Sequence, residues 1–171
     1  MRRGSDYTDS ARADLALNVL QLEEEHPHPM STWRLDEVHT THSLLRGATP
    51  QLVEAGPVRL VFSVQHRLRA STVQQLVAFY YDLPRVDFRT QVDWQELGSP
   101  AVGVPNLKAA FTARLSECQA WFETPFAAVQ RPCDGQEVPA LRWADVGGAA
   151  YGIAVLNDSK YGYDALGTRL R

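Results

Sequence analysis

The sequence predicts an all-β fold, built as an antiparallel β-sandwich. Apolar and polar residues alternate through most of the central stretch, which is typical of strands with one buried face. Turn-forming residues separate these runs at intervals of roughly a dozen residues. Almost no segment places its apolar residues at helical spacing. Because polar faces recur on several strands, we expect antiparallel sheets with one side in water.

The first elements are the least regular. Residues 1–14 are polar and without pattern, and we expect an irregular lead-in there. Residues 15–22 fit a strand or a short helix. Residues 58–68 are the first clear strand, because their apolar side chains fall on one face. Those side chains are Val58, Leu60, Phe62, Val64 and Leu68.

The same alternation predicts the later strands. It covers residues 72–81, 85–94 and 107–115, and in the second of these charged side chains fill the face opposite the apolar one. Residues 149–156 are apolar almost throughout, so we expect a strand buried on both faces. Glycine, proline, aspartate and serine punctuate the chain between the runs. These turns lie at residues 54–57, 83–84, 98–100 and 133–136.

Composition indicates one globular domain, which we expect over residues 15–171. The chain has 171 residues, 44% hydrophobic and 22% charged, and a formal net charge of -3 with both signs spread along it. This pattern predicts no nucleic-acid partner and no membrane partner. No secretory signal is recognisable, and Cys118 and Cys133 make no disulfide framework. A cytoplasmic location fits best, and a piece cut from a longer chain fits equally well.

Histidines are the candidate metal ligands. His26 and His28 are spaced by proline, which holds the chain extended, and His39 and His42 lie among threonines that disfavour a helix. Zinc sites need three or four convergent ligands. We therefore interpret these histidines and His66 as surface residues, and we expect no metal or other cofactor in this chain.

Carboxylates and nucleophiles give no catalytic residue. Asp87 and Asp93 share a strand face with arginines, which indicates a solvated charge ladder rather than an acid–base pair. We interpret Glu23–Glu25 as a solvated run. There is no G-x-S-x-G elbow, and Gly147-Gly148 lacks the context of a phosphate loop.

Residues 156–167, LNDSKYGYDALG, concentrate hydrogen-bonding side chains in one short stretch. Asn157 and Asp158 can form Asx turns, and two glycines permit positive φ. Two tyrosines supply aromatic faces, which suit sugar C–H groups when amide and carboxylate groups lie beside them. A structural hairpin that caps itself uses the same residues, so both interpretations stay open.

Four segments, in order, resemble the C-terminal β-domain of glycoside hydrolase family 38, the zinc-dependent α-mannosidases. They are NVLQLEEEHPHPMSTWRLD (18–36), PRVDFRTQVDWQE (84–96), FETPFAAVQRP (122–132) and VPALRWADVGGAAYGIAVLNDSKYGYDALGTRLR (138–171). The likeness runs from about Asn18 to the end, and the ordered series is more specific than any one motif. The chain departs from the family pattern at Asn106 and at Ala127.

The resemblance implies a truncated portion of a mutarotase-like β-sandwich. It also implies that the catalytic Asp and the zinc, held by two His and two Asp, belong to a barrel domain outside this sequence. Loops of the β-domain would lie against that catalytic domain and help close the cleft in which terminal α-mannosides are hydrolysed with retention. The cleft or inter-domain residues that the resemblance implies are Asn157, Asp158, Lys160, Tyr161, Tyr163 and Asp164.

Three hypotheses follow. The first is a non-catalytic portion of an α-mannosidase, inactive when alone. The second is a stand-alone carbohydrate-binding module with Tyr161, Tyr163 and Trp143 as a stacking platform, against which stands the expectation that tryptophans are core residues. Those tryptophans are Trp33, Trp94, Trp121 and Trp143. The third is a scaffold domain that forms a homo-oligomer through open strand edges, for example at residues 149–156.

Overall fold

A computed structural model describes residues 16–31, 33–46, 48–101 and 103–171. Within these ranges the chain forms fifteen strands and no helix, which confirms the predicted all-β class. The strands are β1 (Val19–Glu25), β2 (Val38–Ser43), β3 (Gln51–Ala55), β4 (Arg59–Leu68), β5 (Ser71–Tyr80), β6 (Val86–Asp93), β7 (Val104–Thr112), β8 (Gln119–Thr124), β9 (Ala127–Arg131), β10 (Val138–Pro139), β11 (Trp143–Gly147), β12 (Gly152–Leu156), β13 (Gly162–Tyr163), β14 (Ala165–Leu166) and β15 (Arg169–Leu170).

The chain divides into two compact units. Among the described residues, the first unit covers 46–98, and the second covers 16–45 and 99–171. The predicted irregular lead-in, residues 1–14, lies outside the described ranges. The expectation of one domain over residues 15–171 stays a prediction.

The first unit is one antiparallel sheet in the order β3-β4-β5-β6. Ladder partners share a face, so the apolar residues of β4 meet those of β5, as in the pairs Phe62↔Val77 and Leu60↔Phe79. Leu68 and Val73, on the same face, are completely buried. The alternation of the sequence therefore predicted these strands and the residues that share a face. Burial follows it only in part, because Val58, Val86 and Val92 of that face are exposed.

The second unit is a sandwich of two antiparallel sheets. A five-stranded sheet has the order β14-β15-β7-β1-β2, and a four-stranded sheet has the order β12-β11-β8-β9. Phe122 and Val146 of the four-stranded sheet share one core cluster with Leu170 of the five-stranded sheet and with Tyr163. The strands β10 and β13 form a separate, two-stranded antiparallel sheet. The two main sheets bury a common apolar layer, as a β-sandwich requires.

Two expectations about burial are wrong. Residues 149–156 were expected to be buried on both faces, but β12 is an edge strand whose Leu156 is mostly exposed. The tryptophans were expected in the core, but the side chain of Trp33 is 81% exposed, and Trp94 and Trp121 are also exposed. An edge strand has neighbours on one side only, so apolar composition alone does not bury it.

Cys118 and Cys133 form a disulfide, which the sequence did not predict. The bond joins the segment before β8 to the segment after β9, so it closes the base of the β8–β9 hairpin. Two cysteines fifteen residues apart were too few to indicate a framework, and only the hairpin pairing brings them together.

In the part of the chain that the structure describes, no helix is long and apolar enough to cross a membrane.

Candidate functional site

One face of the five-stranded sheet carries polar and charged side chains instead of apolar ones. Gln21 and Glu23 point to this face from β1, and Gln21 pairs with Lys108 of β7 and with Ser43 of β2. Glu23 is only 1% exposed, and Gln21 and Lys108 are also largely buried. The face is therefore covered, whereas the sequence alternation had predicted that it faces water.

The covering segments are held by the same strand. Glu25, at the end of β1, accepts hydrogen bonds from the backbone N–H of Asp36 at 2.5 Å and from His28 Nε2 at 2.7 Å. These bonds fix the two ends of the segment that carries Trp33 and Arg34 over the sheet. On the other side, the Pro139↔Gly162 pairing and the bond from Ala140 N to Tyr161 O hold Tyr161 in place.

A buried ion network lies on this polar face. Lys108 Nζ lies 2.6 Å from Glu137 Oε2, 2.8 Å from Asp164 Oδ2 and 3.7 Å from Glu23 Oε2. Arg171 Nε donates to Asp164 Oδ1 at 2.9 Å and to Oδ2 at 3.1 Å, and Arg171 Nη1 donates to Glu23 Oε1. Three carboxylates thus surround two cations, with Asp164 completely buried between them.

The network keeps both cations charged. Burial acts to lower the pKa of Lys108, but the carboxylates of Asp164 and Glu137 outweigh it and raise that pKa above its ordinary value. Burial acts in the same direction on Arg171, and there Asp164 and Glu23 raise the pKa. Mutual neutralisation of this kind is what allows charged groups to remain buried.

One atom of the network is left without a hydrogen bond. Glu23 Oε2 is buried and has no hydrogen-bond partner among the described residues. Lys108 Nζ, at 3.7 Å, is near enough for electrostatic attraction but too far for a hydrogen bond.

Above the network is a cleft with a volume of about 910 Å³. Glu23, Lys108 and Arg171 form its floor, while Trp33 and Tyr161 contribute to its rim. The side chain of Tyr161 is 59% exposed, so both rim aromatics present a surface to solvent. The volume lies within the range of small-molecule sites in proteins.

Of the six residues implied by the resemblance, Tyr161 is the one that lines the cleft. Asn157 forms the predicted Asx turn, because its Oδ1 accepts from Ser159 N at 2.9 Å and from Lys160 N at 2.6 Å. Asp158 and Lys160 are exposed on that turn.

The last two of the six face inward. Tyr163 is packed in the sandwich core, and its hydroxyl accepts a hydrogen bond from Asn157 Nδ2. Burial and the charge of Glu123 raise the pKa of Tyr163. Asp164 belongs to the ion network. A role for these six residues in contacting sugar or another domain stays a prediction.

Histidines and carboxylates elsewhere are paired locally. His26 and His39 stack with their ring centroids 4.4 Å apart, and His42 Nε2 lies 3.7 Å from Glu24 Oε2. Within the described ranges, no group of three His, Cys, Asp or Glu is arranged to hold a metal ion.

One pair of the predicted charge ladder is present, between Arg85, just before β6, and Asp87 on β6. Arg85 Nε donates to Asp87 Oδ1 at 2.6 Å, and Tyr80 donates to the other oxygen at 2.8 Å. The hydrogen bond from Arg85, followed by the one from Tyr80, lowers the pKa of Asp87 to about 2. Such a carboxylate stays ionised and suits a structural pair rather than a general acid.

The sequence did not indicate which residues form the floor of the cleft. Glu23, within the supposed solvated run, is buried, and the same holds for Glu24 and Glu25. Lys108 and Arg171 were not singled out in the sequence. The available signal was the long polar face shared by β1 and β7, but no local pattern indicates that loops distant in sequence cover it.

Comparison with known proteins decides the family. The sequence profile of the Glycosyl hydrolases family 38 C-terminal domain matches residues 7–171. The chain belongs to this family. The resemblance in the four sequence segments is thereby confirmed.

Curated relatives of this family 38 C-terminal domain are α-mannosidases. Alpha-mannosidase G of Dictyostelium discoideum is 31% identical over 141 residues, which cover 75% of this chain and 12% of that protein. Alpha-mannosidase 2C1 of Homo sapiens is 35% identical over 108 residues, covering 58% of this chain and 10% of that protein. The matched part of the family 38 domain is thus about a tenth of the length of these relatives. No solved structure matches the chain.

Proposed function

We propose that this family 38 domain is a non-catalytic β-sandwich portion of an α-mannosidase, an enzyme acting on terminal α-mannosides. The observation that carries the proposal is the match of residues 7–171 to the C-terminal domain of the family. The curated relatives are about ten times longer than the matched segment, which leaves room in them for a separate catalytic domain.

The carboxylates of the cleft support a non-catalytic role. Retaining glycoside hydrolysis needs two carboxyl groups about 5 Å apart that both reach the glycosidic bond. Asp164 and Glu23 are almost fully buried and are bound by Arg171, so neither reaches a substrate. Glu137 is the more open carboxylate of the network, and it is paired with Lys108. Asp36, the other exposed carboxylate of the lining, is paired with Arg34 at 2.8 Å, so both open carboxylates of the cleft are held in ion pairs.

The partner that we propose is the α-mannosidase catalytic domain, which supplies the nucleophile and the zinc ligands. The described residues of this chain offer no metal cluster, so the zinc of the proposed enzyme is assigned to that partner. The surface that would face the partner includes Asp158, Lys160 and Tyr161, which are exposed beside the cleft or on the adjoining turn.

A domain exchange tests this proposal. The segment of alpha-mannosidase G that aligns with this chain is replaced by the chain, and release of nitrophenol from an aryl α-mannoside is measured. We expect the chimera to retain zinc-dependent activity and the isolated chain to have none. Turnover by the isolated chain, or an inactive chimera that is nonetheless folded and zinc-loaded, contradicts the proposal.

Self-association is a second candidate, favoured by one observation. In the described sheet β12 is an edge strand, with β11 on one side and no strand on the other. Open edges can pair with another chain. Analytical ultracentrifugation over a wide concentration range tests this candidate. Ala154→Pro is the variant that removes an N–H from the open edge, because Asn157 N donates to Arg142 O and the alternate residues 155 and 157 therefore face β11. A strictly monomeric wild type rejects it.

A cytoplasmic location is also our proposal, and it rests on the composition of the sequence. The Cys118–Cys133 bond is the feature that stands against it, because stable disulfides are typical of oxidising compartments. Alkylation of thiols in rapidly quenched cells tests the location. Free thiols at both positions support the cytoplasm, and a fully protected pair contradicts it.

A further inference from the structure

The strand β6 is an open edge of the first unit. In the described sheet, β5 lies on one side of β6 and no strand lies on the other. The bond from Tyr81 N to Val58 O places the odd-numbered residues of β5 against β4, so its even-numbered residues bond to β6. Each of these pairs with an odd-numbered residue of β6. The N–H and C=O groups of the even-numbered residues of β6 therefore point to the open side.

Two exposed charges in the second half of β6 have no charged residue opposite them in their own sheet. Arg89 pairs with Leu76 of β5, and Asp93 pairs with Thr72. Residues four apart on a strand are separated by about 13 Å, so Arg89 and Asp93 do not reach each other. Gln95 donates to Oδ1 of Asp93 at 2.7 Å, and Oδ2 can accept a further donor.

An antiparallel pair of β6 strands, one from each of two copies of the chain, brings these charges together. With Gln91 of one copy opposite Gln91 of the other, Arg89 of each copy lies opposite Asp93 of the other, and the two-fold axis makes the ion pair twice. The even-numbered residues of the two copies then exchange the new backbone hydrogen bonds. Charges of one sign protect an edge from pairing, whereas the two signs on β6 are complementary to themselves.

The charges disfavour the neighbouring registers. A shift of two residues brings Asp87 opposite Asp93, and a shift of four brings Arg89 opposite Arg89. Like charges directly opposite each other destabilise a pair of strands. A shift of six brings Arg89 opposite Asp87, but that carboxylate is already bound by Arg85 at 2.6 Å and by Tyr80 at 2.8 Å. The first register is therefore the one that the charges select.

The apolar face of β6 gains contacts in the same register. It brings Phe88 opposite Trp94, which directly follows β6, and Thr90 opposite Val92. In the single chain the side chains of Trp94 and Val92 are 37% and 38% exposed. Aromatic and β-branched pairs across two strands stabilise a sheet. The pairing therefore removes apolar surface from water while it neutralises charge.

We propose that β6 is a dimer interface between two copies of this chain, with Arg89 of each copy opposite Asp93 of the other. The two sheets of order β3-β4-β5-β6 then join edge to edge. The interface is short, so the dimer is weak, with a Kd on the order of 100 μM. The proposal is independent of the α-mannosidase assignment. It concerns a different edge from β12, which has no charged residue to select a partner.

Sedimentation of the full chain between about 1 μM and about 1 mM measures the dimer. Arg89→Asp and Asp93→Arg each place like charges opposite each other at both pairs, and each is expected to weaken the dimer about tenfold. The two variants mixed in equal amounts are expected to form a heterodimer with the wild-type affinity, because each offers the other opposite charges. Arg67→Asp is the matched control, since it makes the same charge change at an exposed residue of β4, which is not an edge strand. It is expected to leave the Kd unchanged.

Amide hydrogen exchange of the wild type gives a second readout that needs no variant. Residues 88, 90 and 92 are expected to exchange more slowly at about 1 mM than at about 10 μM, because their N–H groups become bonded across the interface. The odd-numbered residues of β6 are the internal control, because β5 already binds their N–H groups at every concentration.

A chain that stays monomeric up to about 1 mM overturns the proposal. So does a dimer that Arg89→Asp leaves unchanged, or a mixture of the two reversed variants that does not associate. A dimer that Ala154→Pro abolishes, with slower exchange confined to β12, places the contact at the other edge and also overturns it. Circular dichroism checks that each variant is folded, and the exchange measurement decides where one is not.

Discussion

At the scale of single residues, Asp164 joins the two cations of the buried network. Its carboxylate accepts from Lys108 and, through both oxygens, from Arg171. Its backbone also exchanges two hydrogen bonds with the backbone of Arg171, at 2.9 Å and 3.0 Å. The side chain is completely enclosed, so water cannot replace it.

We expect Asp164→Asn to lower the free energy of unfolding by about 3–5 kcal/mol, because it leaves buried cations short of negative charge. Urea denaturation measures the effect. Asp158→Asn removes the same charge from the exposed turn and is the control, with an expected change within about 0.5 kcal/mol. Equal effects of the two substitutions would show that the network contributes nothing particular to stability.

At the scale of elements, the β11–β12 hairpin at the edge of the four-stranded sheet contains two glycines that pair with each other. Gly147 of β11 pairs with Gly152 of β12. A Cβ built on Gly152 comes within 2.7 Å of Val146 O and 2.9 Å of Gly147 Cα, both backbone atoms. A Cβ on Gly147 meets nothing closer than 3.8 Å. The close approach is therefore one-sided.

We expect Gly152→Ala to destabilise the domain by about 1–3 kcal/mol, because backbone atoms must move apart. Gly147→Ala, in the same ladder, is expected to be neutral or stabilising by up to about 1 kcal/mol, since it restricts the unfolded chain. Thermal unfolding of the two variants side by side measures the difference. A larger loss in Gly147→Ala contradicts the one-sided packing of this glycine pair.

The disulfide acts on the β8–β9 hairpin. It closes a loop with a sequence separation of fifteen residues, for which the chain-entropy account gives about 3 kcal/mol of stabilisation. We expect the double variant Cys118→Ala, Cys133→Ala to lose about this amount in urea denaturation. Wild type with a reductant should match the variant. A variant as stable as the oxidised wild type contradicts a stabilising bond.

The strands could be predicted from the sequence where one face is apolar and the other is wet. That condition holds best for β4 and β5, whose alternation gave the strands and the residues that share a face. On β6 the alternation gave the strand, but Val86 and Val92 of its apolar face are exposed. It fails for β1, in which all seven residues are buried, including three consecutive glutamates. It fails also for β12, which is apolar in composition but lies at the edge of its sheet and is partly exposed.

At the scale of the whole molecule, we expect the free energy of unfolding to depend on pH through His66 of the first unit. Burial lowers the pKa of His66, on β4, below its ordinary value of 6.5. The unfolded chain therefore binds a proton at this position more tightly than the folded chain. The associated stability is fully present above pH 6.5 and is lost as the pH falls through the lower folded pKa.

We expect urea denaturation to show less stability at about pH 5.5 than at about pH 7, and His66→Gln to remove this part of the dependence. His42→Gln is the control, because His42 lies in the second unit, beside Glu24, and is separate from the sheet that carries His66. An unchanged pH profile in His66→Gln contradicts the assignment.

The family could be recognised from the sequence, but the cleft could not. Four ordered segments were enough for the first, because each keeps several spaced residues of the family pattern. The cleft brings together residues of β1, β7, β10 and the last strand, far apart in the chain. Their closure depends on which loops fold over the sheet, and alternation carries no information on that.

The ion pair between Glu23 and Arg171 spans 148 residues of sequence. A ribosome adds about 5–20 residues per second, so Arg171 is synthesised on the order of 10 s after Glu23. During synthesis β1, which lies between β7 and β2 in the larger sheet, therefore carries a carboxylate without its arginine partner. We therefore expect this sheet to complete its folding only after Arg171 has been synthesised.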